Sequence, residues 1–562
     1  MNTLKLIKES SNISPHYKQE ELSEKQEVQF SRMITKFRRI MLDDHPSFHS
    51  KTLKNQKATI FKTLSWTPLS NQANKTKELN DICTILRNQK SINSISFTLW
   101  FQNRFEIRAL ALTMQKLKCL RTLKLTLGYW EYINGFSKKI FLSGLKHLNS
   151  LKLSFDNNID NNGLKELSIG LRKLSALSEL YLEASGNQIS DKGLFALSQG
   201  LEYLKSLSSF TLFIINISIT DEGIKSISQS VKYLKLSSLS LHFDSCYEIS
   251  DKGLESIFLS LQGNDSLLHF ELDFISIMQI TDTSFQSLSK CLENNSNLKS
   301  LSLNFSYNGN ITDIAFQNLL PAFSKFKSLQ VLKLIFINCR NINDQAFKFL
   351  SKGILHFKSS LLTFTLKMSS NYFIPNKGIK SLSLIGLASL TNFHLDFYGC
   401  RKIDNFELEK FSSDLKSIST LTNLSLILSH CNQIDDKGLI SVSDGIQDLK
   451  ALSKLDLAFN NCKQITDNGI TNFASNLKNC QNLVNLILDF SNCPMITNKG
   501  LKTMLKHIKS LTLLSDLTLN FQYCDGIDEQ KIASVSVQLQ DLKLLNRLTC
   551  YFKNFPKIEK KL

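Results

Sequence analysis

The sequence predicts an α/β solenoid built from stacked strand–loop–helix units. The first observation is a recurring motif: "CNQIDDKGLISV" at residues 431–442 returns as "CKQITDNGITNF" from Cys462 and as "CPMITNKGLKTM" from Cys493. A fixed period of this size is typical of a solenoid, even in a chain of 562 residues. The isoleucine three residues after the cysteine position marks thirteen motifs, at steps of 29 to 32 residues: Ile159, Ile189, Ile219, Ile249, Ile280, Ile311, Ile342, Ile374, Ile403, Ile434, Ile465, Ile496 and Ile527.

The second observation is an alternating pattern ahead of each anchor, as in "LTNLSLIL" (421–428) and "LSKLDLAF" (452–459). In the latter, Leu455, Leu457 and Phe459 point to one side, and the residues between them point to the other. This alternation predicts a short strand with one buried face. Strands of this form run from "INSISFTL" to "LNRLTCYF" (545–552), which gives sixteen repeats, with a weaker one, "FKTLSW", before them.

The third observation is a helical pattern after the anchor. "ITDNGITNFASNLKNCQNL" places Ile470, Phe473 and Leu477 at near-helical spacing, with Thr466 and Asp467 as cap residues at the start. The strand-end position is phenylalanine in ten repeats, which predicts a stacked interior column: Phe155, Phe243, Phe274, Phe305, Phe336, Phe397, Phe459, Phe490, Phe521 and Phe552.

The combined pattern, L-x-x-L-x-L, then Cys or Asn, then I-T-D-x-G-L, resembles the leucine-rich repeat, most closely its ribonuclease-inhibitor-like and cysteine-containing classes. The resemblance covers residues 61–552. It implies a horseshoe of about sixteen repeats of 28–32 residues, with a concave parallel sheet and convex helices. One departure is that about two extra residues separate the strand from the Cys/Asn position, as in "LAFNNC".

The resemblance also implies a structural role for the cysteine column, whose side chains would hydrogen-bond neighbouring backbone as a ladder. The same column holds Asn216, Asn308 and Asn371, and asparagine suits hydrogen bonding but cannot replace a thiol or a soft-metal ligand. There is no C-x-x-C pair, so neither a metal nor a cofactor is expected. Cysteines stacked in one column favour a reducing compartment.

Enzyme motifs are missing from the sequence. It contains no phosphate-binding G-x-x-x-x-G-K-[ST], no G-x-G-x-x-G, no H-E-x-x-H, no G-x-S-x-G and no kinase signature. The recurring aspartates occupy one helix-start position, where a carboxylate offsets unpaired N–H groups: Asp191, Asp221, Asp251, Asp282 and Asp467. The start of the chain lacks a signal-peptide pattern and no apolar run reaches the length of a membrane span, so we expect a soluble, cytoplasmic protein without catalytic activity.

The outward strand residues form three columns on the predicted concave face, with eight acidic and five basic side chains in a chain of net charge +18. An acidic groove does not suit nucleic acid, and we expect a protein partner instead. For any one of these residues, an ordinary solvated role is the competing interpretation. The predicted contact residues are Tyr181, Glu183, Phe213, His242, Glu271, Asp273, Ile335, His394, Asp396, Ile427, Asp456, Asp489 and Tyr551.

The ends of the chain differ from the repeats. Residues 1–60 are predicted to form a helical N-terminal extension or cap, in which residues 23–42 make a basic amphipathic helix. The alternative for residues 23–42 is a contact with a calmodulin-like protein or an acidic membrane surface. Residues 553–562 form a basic tail without an evident polar cap, which leaves the edge of the last repeat as a candidate contact surface.

These observations predict a non-enzymatic interaction scaffold. Two alternatives come from the resemblance. One is a substrate receptor of a ubiquitin ligase, although residues 1–60 lack the Leu-Pro start of an F-box. The other is a GTPase-activating protein, which would present an arginine at the rim.

Overall fold

The computed structural model describes residues 63–66, 82–84, 86–87, 91–100, 104–128, 142, 144–156, 159–185, 188–215, 218–371, 378–528, 542–552 and 558–561. The predicted N-terminal cap with its helix at 23–42, the anchor Ile374 and the ladder residue Asn216 lie outside this part of the chain.

The described residues alternate between strands and helices. The strands are β1 Thr63–Trp66, β2 Ser94–Trp100, β3 Thr122–Gly128, β4 Ser150–Asp156, β5 Glu179–Ser185, β6 Ser209–Ile215, β7 Ser238–Asp244, β8 His269–Ile275, β9 Ser300–Asn304, β10 Val331–Ile335, β11 Thr363–Lys367, β12 Asn392–Asp396, β13 Asn423–Ile427, β14 Lys454–Ala458, β15 Asn485–Asp489, β16 Asp516–Asn520, β17 Arg547–Tyr551 and β18 Ile558–Lys561. The helices are α1 Arg104–Met114, α2 Asn161–Leu171, α3 Asp191–Leu201, α4 Asp221–Val231, α5 Asp251–Ser260, α6 Asp282–Glu293, α7 Asp313–Lys325, α8 Asp344–Ile354, α9 Gly378–Ser381, α10 Asn405–Leu415, α11 Asp436–Ile446, α12 Asp467–Leu477 and α13 Asn498–Ile508.

The strands form one open sheet in which each strand from β1 to β17 pairs in parallel with the next. The register is the same from strand to strand. Leu424 pairs with Leu455, Leu455 with Leu486, and Leu486 with Leu517. The weak first repeat is confirmed, because Leu64 and Trp66 pair with Ile95 and Phe97. The predicted solenoid of about sixteen repeats is therefore correct.

The core lies between the sheet and the helices. The strand leucines, the described anchor isoleucines from Ile159 to Ile496 and one face of each long helix, such as Ile470, Phe473 and Leu477 of α12, are buried, while Ile527 is partly buried. The predicted phenylalanine column is present: the rings of Phe459 and Phe490 are 5.9 Å apart between centroids and nearly parallel. Since each unit buries its apolar face only against its neighbours, stacking provides the core.

The cap residues that begin the helices are joined by hydrogen bonds from one repeat to the next. Thr466 caps α12, as predicted. The aspartate that follows the cap does more than offset its own helix: both carboxylate oxygens of Asp221 reach Ser250, the cap of the next helix, at 2.8 Å from its N–H and 2.7 Å from its hydroxyl. These aspartates therefore link consecutive repeats.

The hydrogen bonds of this aspartate explain why the D-x-G motif has a glycine. Gly253 donates its N–H to the Asp221 carboxylate at 3.0 Å, and a Cβ at this position would lie 2.5 Å from the same oxygen. The Asp221 carboxylate therefore occupies the space that a Cβ of residue 253 would need. In the following repeat Ser284 takes the glycine position and donates its hydroxyl to Asp251.

The two extra residues between strand and cysteine form a second recurring feature. The residue before the Cys/Asn position has a positive φ in ten consecutive repeats: Ser245, Ser276, Tyr307, Asn338, Ser370, Gly399, His430, Asn461, Asn492 and Tyr523. Its N–H continues the parallel hydrogen bonding beyond the strand, as Asn461 donates to the carbonyl of Ser491 at 2.8 Å. The insertion thus adds one hydrogen bond between neighbouring repeats.

The last repeat does not leave its sheet edge open. β18 pairs antiparallel with β17, with Lys561 beside Arg547 and Ile558 beside Cys550. The tail itself covers the hydrogen-bonding groups of β17, and a contact surface at this end of the sheet stays a prediction. Within the part of the chain that the structure describes, no helix is long and apolar enough to cross a membrane.

The link between Asp221 and Gly253 predicts a coupled pair of substitutions. Asp221→Ala removes an acceptor of three hydrogen bonds and should lower the free energy of unfolding by about 2 kcal/mol. Gly253→Ala, which usually stabilises a helix, should destabilise here because of the clash. In the double variant the added methyl should cost much less than it does alone. Urea unfolding of the four proteins measures this, and additive effects would contradict the explanation.

Candidate partner-binding face

The outward residues of the strands form three continuous columns, as predicted. Tyr181, Thr211, Ser240 and Glu271 are register partners in the middle column. Glu183, Phe213, His242 and Asp273 occupy the neighbouring column. Because adjacent strands lie about 4.8 Å apart, side chains in one column contact each other across repeats.

The thirteen predicted contact residues all lie on this face, and all are half-buried. Register partners cover part of each apolar side chain among them. Ile335, for example, lies between Asn304 and Lys367.

One cluster of nominated residues lies on β4 and β5. Tyr181 donates its hydroxyl to the Glu183 carboxylate at 3.1 Å, and Ser154 donates to the same oxygen at 2.8 Å. The Lys152 ammonium lies 3.6 Å from the centre of the Tyr181 ring. Burial and the Glu183 carboxylate raise the pKa of Tyr181 to about 12, so the phenol stays neutral and its position is fixed on both sides.

A second cluster continues from β6 to β8. The rings of Phe213 and His242 are 5.1 Å apart between centroids. Nδ1 of His242 lies 3.5 Å from the Asp273 carboxylate, and Nε2 lies 3.9 Å from that of Glu271. The structure thus places an aromatic ring, an imidazole and two carboxylates together on three adjacent strands.

Glu271 is the most accessible acid of this second cluster. Its two oxygens accept hydrogen bonds from Ser240 on one side and Ser302 on the other, each at 3.2 Å. The side chain is still 42% exposed. The carboxylate is therefore held in place by its neighbours while one side remains open to a partner.

The third group of nominated residues lies on β12 to β15. Ser425 donates to Asp456 at 3.1 Å, and burial raises the pKa of this carboxyl although His394 and Lys454 act against the shift. Burial lowers the pKa of His394, whose Nε2 is buried without a hydrogen-bond partner. Asn520 donates to Asp489 at 3.0 Å, which ties the acids of this group into the sheet.

The structure does not bring all nominated residues together. Asp396 and Ile427 are direct register neighbours, while Ile335 and Tyr551 lie apart from the three groups.

The sequence analysis missed exposed aromatic residues at the rim beyond the strands: Tyr307, Tyr398 and Tyr523. Two of these occupy the positive-φ column, whose conformation the sequence pattern alone does not reveal.

The cysteine column has the structural role that the resemblance implied. The thiol of Cys462 donates to the carbonyl of Leu428 at 3.3 Å, one repeat back, and Cys493 donates to Phe459 in the same way. Asn308 uses its amide to reach the equivalent carbonyl of Phe274 at 2.7 Å. Burial raises the pKa of Cys462 to about 12, so the thiol remains a donor at neutral pH. Among the described residues, no group of His, Cys, Asp and Glu could hold a metal ion.

The family model that matches this chain agrees with the architecture. A family model described as "Leucine Rich repeat" matches residues 181–198 and 421–443. No curated protein matches the chain. Among solved structures 128 chains match, one of them in the crystal structure of the Rad7 and Elc1 complex in yeast. That chain is 15% identical, with a TM-score of 0.43, and the match covers 86% of this chain and 96% of that one.

Together, the matched segments and the parallel sheet that alternates with helices define a repeat solenoid. The chain is a leucine-rich repeat protein. The matches do not distinguish the ribonuclease-inhibitor-like class from the other classes.

Burial predicts a sharp difference in thiol reactivity. Eleven of the twelve cysteines are buried and Cys119 is exposed. A thiol reagent such as Ellman's should therefore label about one cysteine per native chain rapidly and all twelve after unfolding. Cys119→Ser should abolish the rapid phase, and rapid labelling that survives in this variant would show that the ladder opens.

The environment of His394 predicts a pH effect on stability. Burial and Lys367 lower its pKa below the ordinary 6.5, although Asp396 and Asp456 oppose the shift. The unfolded chain therefore takes up the proton first, and stability is lost as the pH falls from about 6.5 through the folded pKa. Urea unfolding at pH 7 and pH 5 should show a larger loss for the wild type than for His394→Asn. Equal losses would argue against a buried neutral imidazole.

Proposed function

We propose that this protein is a non-enzymatic scaffold that binds a partner protein on the concave face of its sheet. The observation that supports the proposal is the unbroken register from β4 to β17, which aligns three columns of outward side chains without a bulge in the described strands. Leucine-rich repeats suggest protein–protein interaction, and a continuous sheet face offers one large contact surface.

The chemistry of the face suggests what the partner presents. Its columns carry eight acidic and five basic side chains, and Glu271 and Asp273 flank His242 beside the Phe213 ring. Held carboxylates next to an aromatic ring suit the guanidinium or ammonium group of a partner side chain. We therefore expect the partner to place basic residues over β6 to β8.

The proposed partner contact is tested by affinity capture from the native cells. The test variant carries Glu271→Lys, Asp273→Lys and Asp396→Lys, which reverses three charges on the concave face. We expect it to lose partners that the wild type retains, since like charges across an interface disfavour binding.

The matched control reverses three exposed acids on helices α4, α5 and α10, with Glu222→Lys, Glu255→Lys and Glu409→Lys. Both variants change the net charge equally, so a partner lost from both reflects overall charge. A partner retained by the concave variant and lost by the control would move the binding site to the helices. The identity of the captured protein, a ligase adaptor or a small GTPase, distinguishes the two alternative assignments.

A further inference from the structure

The positive charge of the chain is concentrated on one edge of the sheet. Because the strands are parallel, every segment that leads into a strand reaches the same edge, here called the strand-start edge. It comprises the residues that precede β3 to β17: 115–121, 144–149, 172–178, 202–208, 232–237, 261–268, 294–299, 326–330, 355–362, 382–391, 416–422, 447–453, 478–484, 509–515 and 542–546.

The strand-start edge holds seventeen basic and three acidic residues, an excess of fourteen in a chain of net charge +18. Fifteen of the seventeen are exposed, and Lys299 and Lys509 are half-buried. The basic residues are Lys116, Lys118, Arg121, Lys146, Arg172, Lys173, Lys205, Lys232, Lys235, Lys299, Lys327, Lys358, Lys416, Lys450, Lys478, Lys509 and Lys543.

The opposite edge of the sheet provides an internal comparison. It consists of the described segments from each strand, beginning with β4, to the helix start that follows, and holds four basic and six acidic residues. The four basic residues are Arg340, Arg401, Lys402 and Lys463. A general excess of lysine in the composition would affect both edges equally, so the asymmetry belongs to the strand-start edge itself.

Helix capping accounts for only part of the asymmetry. Five of the seventeen basic residues are helix C-cap residues: Arg172, Lys232, Lys416, Lys478 and Lys509. Cations are favourable at the carboxyl end of a helix, but the effect fades within the last turn. Lys205 and Lys235 each lie four residues beyond the end of a helix. Their positive charge therefore serves no helix end, and capping leaves part of the basic excess unexplained.

The same edge exposes apolar side chains. Eight large apolar residues between 39% and 64% exposed lie among the lysines, and six of them are aliphatic: Tyr203, Tyr233, Leu355, Leu362, Ile385, Val484, Leu513 and Leu544. Exposed aliphatic side chains interspersed with lysines are typical of surfaces that rest on lipid headgroups with their apolar tips in the acyl boundary.

We propose that the strand-start edge docks this protein on an anionic phospholipid bilayer. Consecutive strands lie about 4.8 Å apart, so the edge presents an extended line of basic side chains to the headgroups. Single-stranded nucleic acid fits less well, because its bases stack on aromatic rings and arginine planes. This edge has two exposed tyrosines and two arginines among its seventeen basic residues. The docking does not depend on the proposed partner contact, since it leaves the concave face accessible.

Flotation with lipid vesicles at physiological salt tests the proposal with the full chain. Wild type should bind vesicles of phosphatidylcholine with 30% phosphatidylserine and should not bind pure phosphatidylcholine. The edge variant carries Lys173→Glu, Lys205→Glu, Lys235→Glu and Lys327→Glu, all at exposed positions. We expect its affinity for the anionic vesicles to fall at least tenfold.

The matched control reverses the four basic residues of the opposite edge, Arg340→Glu, Arg401→Glu, Lys402→Glu and Lys463→Glu, and should bind within twofold of wild type. Both variants retain residues 23–42, so a contribution of that basic segment is the same in each. Equal losses in the two variants, or no binding of wild type to anionic vesicles, would overturn the proposal. Circular dichroism and thermal unfolding of both variants establish that they are folded.

A third variant distinguishes binding to a lipid bilayer from binding to a soluble polyanion. It carries Leu355→Ser, Ile385→Ser and Leu544→Ser, which keep the charge of the edge and remove exposed aliphatic side chains. We expect vesicle binding to weaken at least threefold and the binding of single-stranded RNA to stay the same. If the edge variant loses RNA binding while neither the edge variant nor the serine variant changes vesicle binding, the edge is a nucleic-acid surface and the lipid proposal fails.

Discussion

The stacking depends on one recurring interaction, in which the cap of a helix donates hydrogen bonds to the first side chain of the preceding helix. Asp191 reaches Thr220, and Asp467 reaches Thr497, through the same pair of contacts to N–H and hydroxyl. Where the next cap is an aspartate, the first position is asparagine: Asn405 accepts the N–H of Asp435. A carboxylate there would face a second carboxylate without a shared proton. The residue at one position therefore constrains the residue thirty positions later.

This constraint explains why the motif is similar from repeat to repeat better than the packing of the core does. Leucine, isoleucine and phenylalanine exchange within the buried positions, because the core requires apolar volume. The first position of the motif is aspartate or asparagine, because its side chain accepts the N–H of the next cap. The glycine position is less restricted, since serine, alanine or glutamate also occupies it. The positive-φ residue adds a second polar connection at the other end of the strand, where it extends the hydrogen bonding by one residue per repeat. A left-handed non-glycine residue costs about 1 kcal/mol, which the added hydrogen bond offsets.

The sequence predicted the strands, the register columns and the buried phenylalanines, since alternation and period determine which side chains share a face. It also predicted that the cysteine position is structural, because asparagine replaces cysteine there. It did not predict that Asp221 binds Ser250 of the following repeat, since a single repeat contains only one of the two partners. Nor did it predict that Ile335 and Tyr181 are half-buried, because that depends on the size of the register neighbours. The N-terminal segment and its alternatives stay predictions.

The distribution of charge turns the solenoid into a molecule with distinct surfaces. The concave columns carry three more acids than bases and the strand-end edge two more, whereas the strand-start edge carries fourteen more bases than acids. At physiological ionic strength the field of each surface decays within about 8 Å, so a partner at the concave face experiences its local acids and not the net charge of the chain. Parallel strands make this separation possible, since they bring all strand starts to one edge and all strand ends to the other. A chain of net charge +18 thereby offers an acidic face to one ligand and a basic edge to another at the same time.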